Sequence, residues 1–297
     1  MLNGTVDDGK GQCITLVSVI SLLSLTIVVG HALMLIILFK DPFKRFRTPP
    51  TFLVCGMVLA NCTSGLSAGP LFCYFVISSC SALRPPYLEL LWNATSFMLY
   101  WTTSVSYLSM LGLSFCQYIG VKIPHKHSGL VTKKTTASFL GIITFISFLI
   151  PGLLPLGVSP IIVEKLQLHV TFQLSTFIPC ALYSLYAALG VEYLQQVKRA
   201  RESSNNAVKG MTCVRVRDRN FTRANLMLLA YVTLLSLPIM ITWHLSMYGE
   251  KLFSSKTGQT ASGAITITLF MMKITLDPFI YCMRLTIYRK AFQRIFK

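Results

Sequence analysis

Acidic residues are scarce: ten Asp and Glu stand against 27 Lys and Arg in 297 residues, and only 12% of positions are charged. A soluble domain devotes about a quarter of its residues to charge. With 53% hydrophobic residues and a mean hydropathy of +0.61, this shortage excludes a single water-soluble core, a disordered chain and a coiled coil. The sequence also lacks a CxxC pair, a His/Cys cluster at metal-ligand spacing and a Gly-rich phosphate loop, and its Ser, His and acidic residues are too scattered to suggest a catalytic triad. The reading is therefore not an enzyme, with no cofactor and no metal. No internal repeat is present, which argues against an inverted-repeat transporter.

What is present is a series of apolar runs, each long enough to span a bilayer at roughly 20 residues. They lie near 14–39, 51–78, 90–119, 135–157, 168–195, 223–247 and 260–284. Long runs rather than short alternating segments argue for helices over a β-barrel. The nine Cys fall mostly inside these runs, where Cys acts as a small apolar residue.

Net charge is +17, and its placement decides what it means. Basic groups follow the first run (Lys40, Lys44, Arg45, Arg47), the third (Lys122, Lys126, Lys133, Lys134), the fifth (Lys198 to Arg223) and the seventh (Arg284 to Lys297). The remaining loops balance Lys10, Arg84, Lys165, Lys251 and Lys256 against Asp7, Asp8, Glu89, Glu164 and Glu250. Alternation of this kind is the positive-inside pattern. It sets topology and meets anionic inner-leaflet lipid, so nucleic acid is not a partner. The N-terminus is then outside, and Asn3-Gly4-Thr5 is a glycosylation sequon on the correct side. No basic segment precedes the first run, which is expected to act as an uncleaved signal. After Arg284, apolar Leu285, Ile287, Phe292, Ile295 and Phe296 alternate with basic residues at roughly helical spacing. That pattern predicts an amphipathic helix on the inner leaflet. The expected organisation is a polar N-terminus over 1–13, an all-α seven-transmembrane helix bundle over 14–284 and a membrane-surface helix over 285–297. The loop 198–222 is Ser/Asn/Arg-rich and expected to be mobile.

Within the last run, Leu276-Asp277-Pro278-Phe279-Ile280-Tyr281, followed by a short basic helix, resembles the Asn/Asp-Pro-x-x-Tyr motif and eighth helix of rhodopsin-like (class A) G-protein-coupled receptors. Gly30-His31 stands where the family has Gly-Asn, and Leu59-Ala60-Asn61 resembles its second-helix Leu-Ala-Asp stretch. Phe177-Ile178-Pro179 and Leu237-Pro238 match the prolines of its fifth and sixth helices. The resemblance covers about residues 14–297. It implies a plasma-membrane, multi-pass signal-transducing receptor and glycoprotein for an unidentified extracellular ligand, with a heterotrimeric G protein as partner.

Departures from the family pattern are specific. The family's Asp/Glu-Arg-Tyr aligns with Cys116-Gln117-Tyr118, which with Tyr281 forms the expected G-protein-facing set. The sixth-helix Trp is replaced by Ser236. The family's disulfide to the second outer loop has no partner Cys in residues 156–170. Leu99 stands at the amine-binding acid, so the ligand is not a biogenic amine, and Met271 at the retinal-attaching Lys. Together with Trp101, Phe172, Phe177 and Trp243, these three positions are the ligand-pocket candidates that the resemblance implies, although for the aromatics simple helix packing serves equally well. The family's sodium-site positions correspond to Asn61, Ser106, Lys273 and Asp277, with the acid moved from helix two to helix seven.

The ionisable residues inside the runs are His31, Lys273 and Asp277. A charge at the bilayer centre costs roughly 2.5–3.5 kcal/mol on insertion scales. Lys273 and Asp277 are four residues apart and share a helical face, so they are expected to pair. The pair either fixes helix packing or biases two packings as a buried polar switch with His31, Asn61 and Ser106. Pro151, Pro155, Pro179, Pro238 and Pro278 are expected to kink their helices. Two other classes remain open: a receptor-like protein that does not couple to G proteins (a decoy, trafficking partner or heterodimer subunit), and a seven-helix transporter or channel, for which one charge pair provides little polar path.

Overall fold

A computed structural model describes residues 4–43, 48–80, 86–149, 176–195, 198, 234, 237–238, 240–241, 256–284 and 286–295. Among them all regular structure is α-helical. In chain order the helices are α1 (Gly4–Lys40), α2 (Pro49–Leu66), α3 (Ala68–Cys80), α4 (Leu88–Lys122), α5 (Pro124–Leu130), α6 (Lys133–Leu149), α7 (Thr176–Gln195), α8 (Lys256–Arg284) and α9 (Thr286–Ile295). Leu234, Leu237, Pro238, Met240 and Ile241 are also helical. The expected helix-six boundaries, the 198–222 loop, Pro151 and Pro155 lie outside the described residues or largely so.

Three helical stretches are long and apolar enough to cross a membrane: Cys13–Lys40, Pro49–Ser78 and Thr176–Gln195. The sequence predicts seven. Several of the other expected runs lie partly outside the described residues, and α4 also carries many hydroxyls. Buried on α4 are Thr95, Thr102, Ser104, Ser106, Ser109 and Ser114, and on α8 Lys273, Thr275 and Asp277. These polar groups face inward, and on α4 they lower the mean hydropathy. On the outer faces stand Leu90 and Phe115 of α4, and Ile265, Met272 and Phe279 of α8, all exposed. α6 is described over only 17 residues, to Leu149, and exposes Phe139, Ile142, Phe145, Ile146 and Phe148. Large apolar residues outside and hydroxyls inside are the arrangement a lipid environment favours.

The second apolar run is two helices because of Pro70. Proline has no N–H for the Leu66 carbonyl, and its ring crowds that carbonyl. The chain turns at Ser67, whose amide and hydroxyl both donate to Thr63 O, at 2.9 and 2.6 Å. The ladder resumes with Leu71 N donating to Ser67 O at 3.1 Å. α1 stops at Asp41, which takes a positive φ of 36°. Asp tolerates that conformation, and Pro42 follows, which cannot continue a helix.

Four apolar clusters hold the helices together. At one end Met34, Ile37, Leu53, Met57, Leu113 and Ala291 join α1, α2, α4 and α9. Tyr107, Met110, Ile178, Leu182 and Leu189 join α4 to α7, with Leu276 and Ile280 of α8 against them. Ile27, Ala68, Met271 and Ile274 join α1, α3 and α8, and Ile20, Phe72 and Val76 join α1 to α3. α9 buries Ala291 and packs Ile295 beside it, while Lys290, Arg294 and also Phe292, expected on the apolar side, are exposed, and the Arg294 guanidinium lies 5.1 Å from the centre of the Phe43 ring. Cys13 is disulfide-bonded, whereas Cys55, Cys62, Cys73, Cys116 and Cys180 are free thiols. Reading cysteine as a small apolar residue thus fits these five and not Cys13.

The approach of α1 to α3 depends on Gly69. A Cβ there would lie 2.9 Å from Ser24 Cβ and closer still to the Ser24 hydroxyl. Overpacking of this kind costs about 1–3 kcal/mol. Gly69→Val is therefore expected to lower the thermal midpoint of the detergent-solubilised protein by several degrees, with partial recovery in Gly69→Ala/Ser24→Gly. An unchanged midpoint for Gly69→Val would show that the contact carries no packing constraint.

Candidate functional site

The polar centre of the molecule is built on α8 around its internal proline. Pro278 offers no N–H to Ile274, which opens the helix at that turn. Gly30 of α1 packs directly on the proline ring: a Cβ on it would lie 3.2 Å from Pro278 Cγ. This close approach brings His31, fully buried, within electrostatic reach of Asp277 and Lys273.

Asp277 is the hub. Asn61 Nδ2 of α2 donates to Asp277 Oδ2 at 2.9 Å in a buried hydrogen bond. Lys273 Nζ lies 3.9 Å from the same oxygen. That distance exceeds the 2.7–2.9 Å of a charge-assisted hydrogen bond, so the attraction is electrostatic. The ammonium also sits 4.4 Å from the centre of the Tyr107 ring of α4. A desolvated cation over an aromatic face gains about 2 kcal/mol. Helix dipoles and hydroxyls aside, one carboxylate thus ties α2 to α8, and one ammonium ties α8 to α4. His31 Nδ1 bonds its own helix at Ile27 O, 2.9 Å away, while Nε2 is buried without a hydrogen-bond partner.

Of the residues expected in the polar switch, Asn61, Lys273 and Asp277 come together and His31 lies beside them. Ser106 is buried on α4, where its neighbour Tyr107 provides the contact with Lys273. Sequence reasoning passed over Tyr107. The only available signal was helical phase, which places one of two adjacent residues toward a given neighbour and does not say which. It also passed over the buried pair Ser114 Oγ and Tyr186 OH, 3.0 Å apart, which links α4 to α7.

The other expected residues are dispersed. Leu99 packs against the cluster that contains Met271, which is fully buried. Trp101 turns toward α6, edge-on to Phe148 with ring centres 6.3 Å apart. Phe177 is 66% exposed. At the far end of α4, Cys116 packs against the α1–α2 cluster and Gln117 is half-buried. Tyr118 accepts a hydrogen bond from Lys122 Nζ at 2.8 Å, which holds Lys122 above the ordinary lysine value and keeps it cationic. Tyr281 is helical, and its side chain, with Asn3, Phe172, Ser236 and Trp243, lies outside the described residues. Among the described residues no three His, Cys, Asp or Glu side chains converge as metal ligands.

No protein-family model matches the chain, and no curated protein matches it significantly. The cluster must therefore be read from its chemistry. Asp277 and Lys273 together link α2, α4 and α8, with α1 packed on Pro278 beside them. Any movement of α8 about Pro278 would have to stretch the Asn61–Asp277 bond.

Removing one charge leaves the other buried and uncompensated, at a cost of roughly 3–5 kcal/mol. Lys273→Met and Asp277→Asn are each expected to destabilise strongly, and the double variant far less than their sum. A double-mutant cycle on thermal stability measures this, and near-additive losses would show no coupling. Because an ammonium already occupies the position a cation would take, sodium at constant ionic strength should leave the midpoint unchanged.

Proposed function

We propose that this chain is a divergent rhodopsin-like G-protein-coupled receptor in the plasma membrane, with seven spans and its N-terminus outside. The observation that carries the reading is the Asp277-Pro278 turn: an acid beside an intrahelical proline on α8, hydrogen-bonded to Asn61 of α2 and packed on Gly30 of α1. The resemblance in sequence pointed to these same positions, and an arrangement that ties several helices at a proline kink suits a bundle with two alternative packings. The disulfide at Cys13 supports the orientation, since such bonds persist in oxidising compartments.

In this reading an extracellular ligand, other than a biogenic amine, binds between the outer halves of helices three, five, six and seven. Binding selects an arrangement in which the inner ends of helices five and six move and expose a basic cytoplasmic face. That face and α9 meet the G protein and anionic inner-leaflet lipid. Asn3 carries a glycan.

A second reading is favoured by Gln117. An uncharged amide cannot replace the cationic Arg through which the family engages its G protein. The chain would then be a receptor-like protein, a decoy or heterodimer subunit, that does not couple. A seven-helix transporter or channel is a weaker reading, because Asp277 and Lys273 neutralise each other instead of lining a polar path.

Nucleotide exchange on G proteins, measured in cells with and without Gln117→Arg, separates the first two. The unmodified chain is expected to give weak or no exchange, and Gln117→Arg to raise it. Robust exchange by the unmodified chain would eliminate the uncoupled reading, and none from either form would eliminate the coupled one. Antibody access in intact cells to an epitope at residue 3, but not to one in 198–222, tests the orientation.

A further inference from the structure

His31 is the ionisable group that the polar centre leaves unused. It is fully buried on α1, next to the glycine that lies on the Pro278 ring. Its Nδ1 is 2.9 Å from Ile27 O. A carbonyl oxygen only accepts, so Nδ1 carries the hydrogen and the neutral ring has its free lone pair on Nε2. Nε2 is buried and has no hydrogen-bond partner. A bare lone pair is tolerable there, whereas an unpaired cationic N–H would lose its hydration with nothing in exchange. The packing thus fits the neutral ring and offers the protonated one no acceptor.

The charged groups around it are few. α8 brings Asp277 and Lys273 within electrostatic reach, one attracting and one repelling a proton on the ring. The side chains of Tyr281 and Cys282, also on α8, lie outside the described residues. α2 and α3 contain no charged residue. α2 contributes the Asn61 amide and, beside it in the chain, the half-buried Cys62 thiol. From α4 comes the Tyr107 phenol, against Lys273. Lys290 and Arg294 of α9 are exposed, and so is Lys40, the nearest charged residue along α1. Among the described residues, Asp277 is therefore the anionic acceptor in reach of a proton on Nε2.

We propose that His31 Nε2 is an intramembrane proton-binding site, and that a proton bound there transfers the Asp277 carboxylate from Asn61 of α2 to His31 of α1. The proton comes from water and adds to the Nε2 lone pair, and no covalent bond of the protein breaks. Through Gly30, α1 already rests on Pro278 so closely that a Cβ would lie 3.2 Å from Cγ. The two helices have little room to close further, so the carboxylate turns instead, and Asn61 loses its acceptor at 2.9 Å. A joint between α2 and α8 is exchanged for one between α1 and α8. Proton concentration then selects between two packings about Pro278. The site needs neither an organic ligand nor a G protein, so it stands apart from the receptor reading.

The direction of the response follows from the ring. In an opened chain His31 titrates near the ordinary histidine value of about 6.5, whereas the present packing holds it neutral. This packing keeps its full stability above about pH 6.5 and loses it progressively as the pH falls further.

The test uses the full chain in phosphatidylcholine nanodiscs, titrated between about pH 5 and 8, the range in which histidine changes charge. Nitrogen-15 spectra of the histidine rings report His31, identified by its absence from His31→Asn. Should that variant fail to fold, replacing His125, His127, His169 and His244 by Gln leaves His31 as the sole ring. Nε2 is expected to gain a proton within this range, and the side-chain amide signal of Asn61 to shift with the same midpoint. The thermal midpoint is expected to drop by a few degrees from about pH 7.5 to about 5.5, and His31→Asn to remove that drop. A ring that stays neutral down to pH 5 would overturn the proposal. So would a ring that titrates while the Asn61 amide stays still, which would mark His31 as a core histidine that switches nothing. An Asn61 response that persists in His31→Asn would also overturn it, by placing the proton on Asp277.

Discussion

Burying a lysine and an aspartate in the same helix constrains everything packed around that helix. Neither charge is tolerable alone in an apolar interior. Asp277 therefore takes a hydrogen bond from Asn61 at 2.9 Å, and Lys273 takes the face of Tyr107 at 4.4 Å. Each requirement draws a different helix inward. α2 must present an amide at Asn61 and α4 an aromatic ring at Tyr107, and α1 must come close enough to lie on Pro278. The glycine at position 30 makes that last approach sterically free. Polar demand thus sets the relative positions of four helices, and apolar packing fills in around it.

The same logic explains why the inward faces of α4 and α8 carry polar groups. α4 buries six hydroxyl side chains and α8 its charge pair. Three of the six have a local acceptor, Thr95 donating to Leu91 O, Thr102 to Met98 O and Ser114 to Met110 O, all one turn back, whereas Ser109 Oγ has no hydrogen-bond partner. Bonding to the preceding turn lets small polar residues line an interior without a partner on another helix. It also leaves Ser114 free to meet Tyr186 OH as a second contact to α7.

Much of this was legible in the sequence. The helical character of the described apolar runs, the Lys273–Asp277 spacing and the approach of Asn61 to that pair follow from periodicity and from the cost of isolated charge. What was not legible depends on helix rotation and on single backbone groups. Pro70 sits amid apolar residues like the other prolines, and only the turn at Ser67 reveals that it divides the second run. Tyr107 and Ser106 are adjacent, and a rotation about the helix axis decides which of them meets Lys273. Cys13 begins the apolar part of α1, and its pairing depends on the packing of the chain around it rather than on its own run.

Trp101 makes the same point in reverse. An aromatic on the third long apolar run reads equally well as a wall of an internal pocket or as packing, because sequence gives its phase only relative to its own helix. Its actual direction is set by α6: Phe148 stacks edge-on against it, and the short side chains of Ala137 and Gly141 leave space beneath. The indole N–H is buried there without a hydrogen-bond partner. The rotation that places Tyr107 under Lys273 carries Trp101, six residues earlier and about 120° away around the axis at 3.6 residues per turn with its successive offsets, onto a different face. The polar centre and the α4–α6 groove are therefore two consequences of one helix orientation.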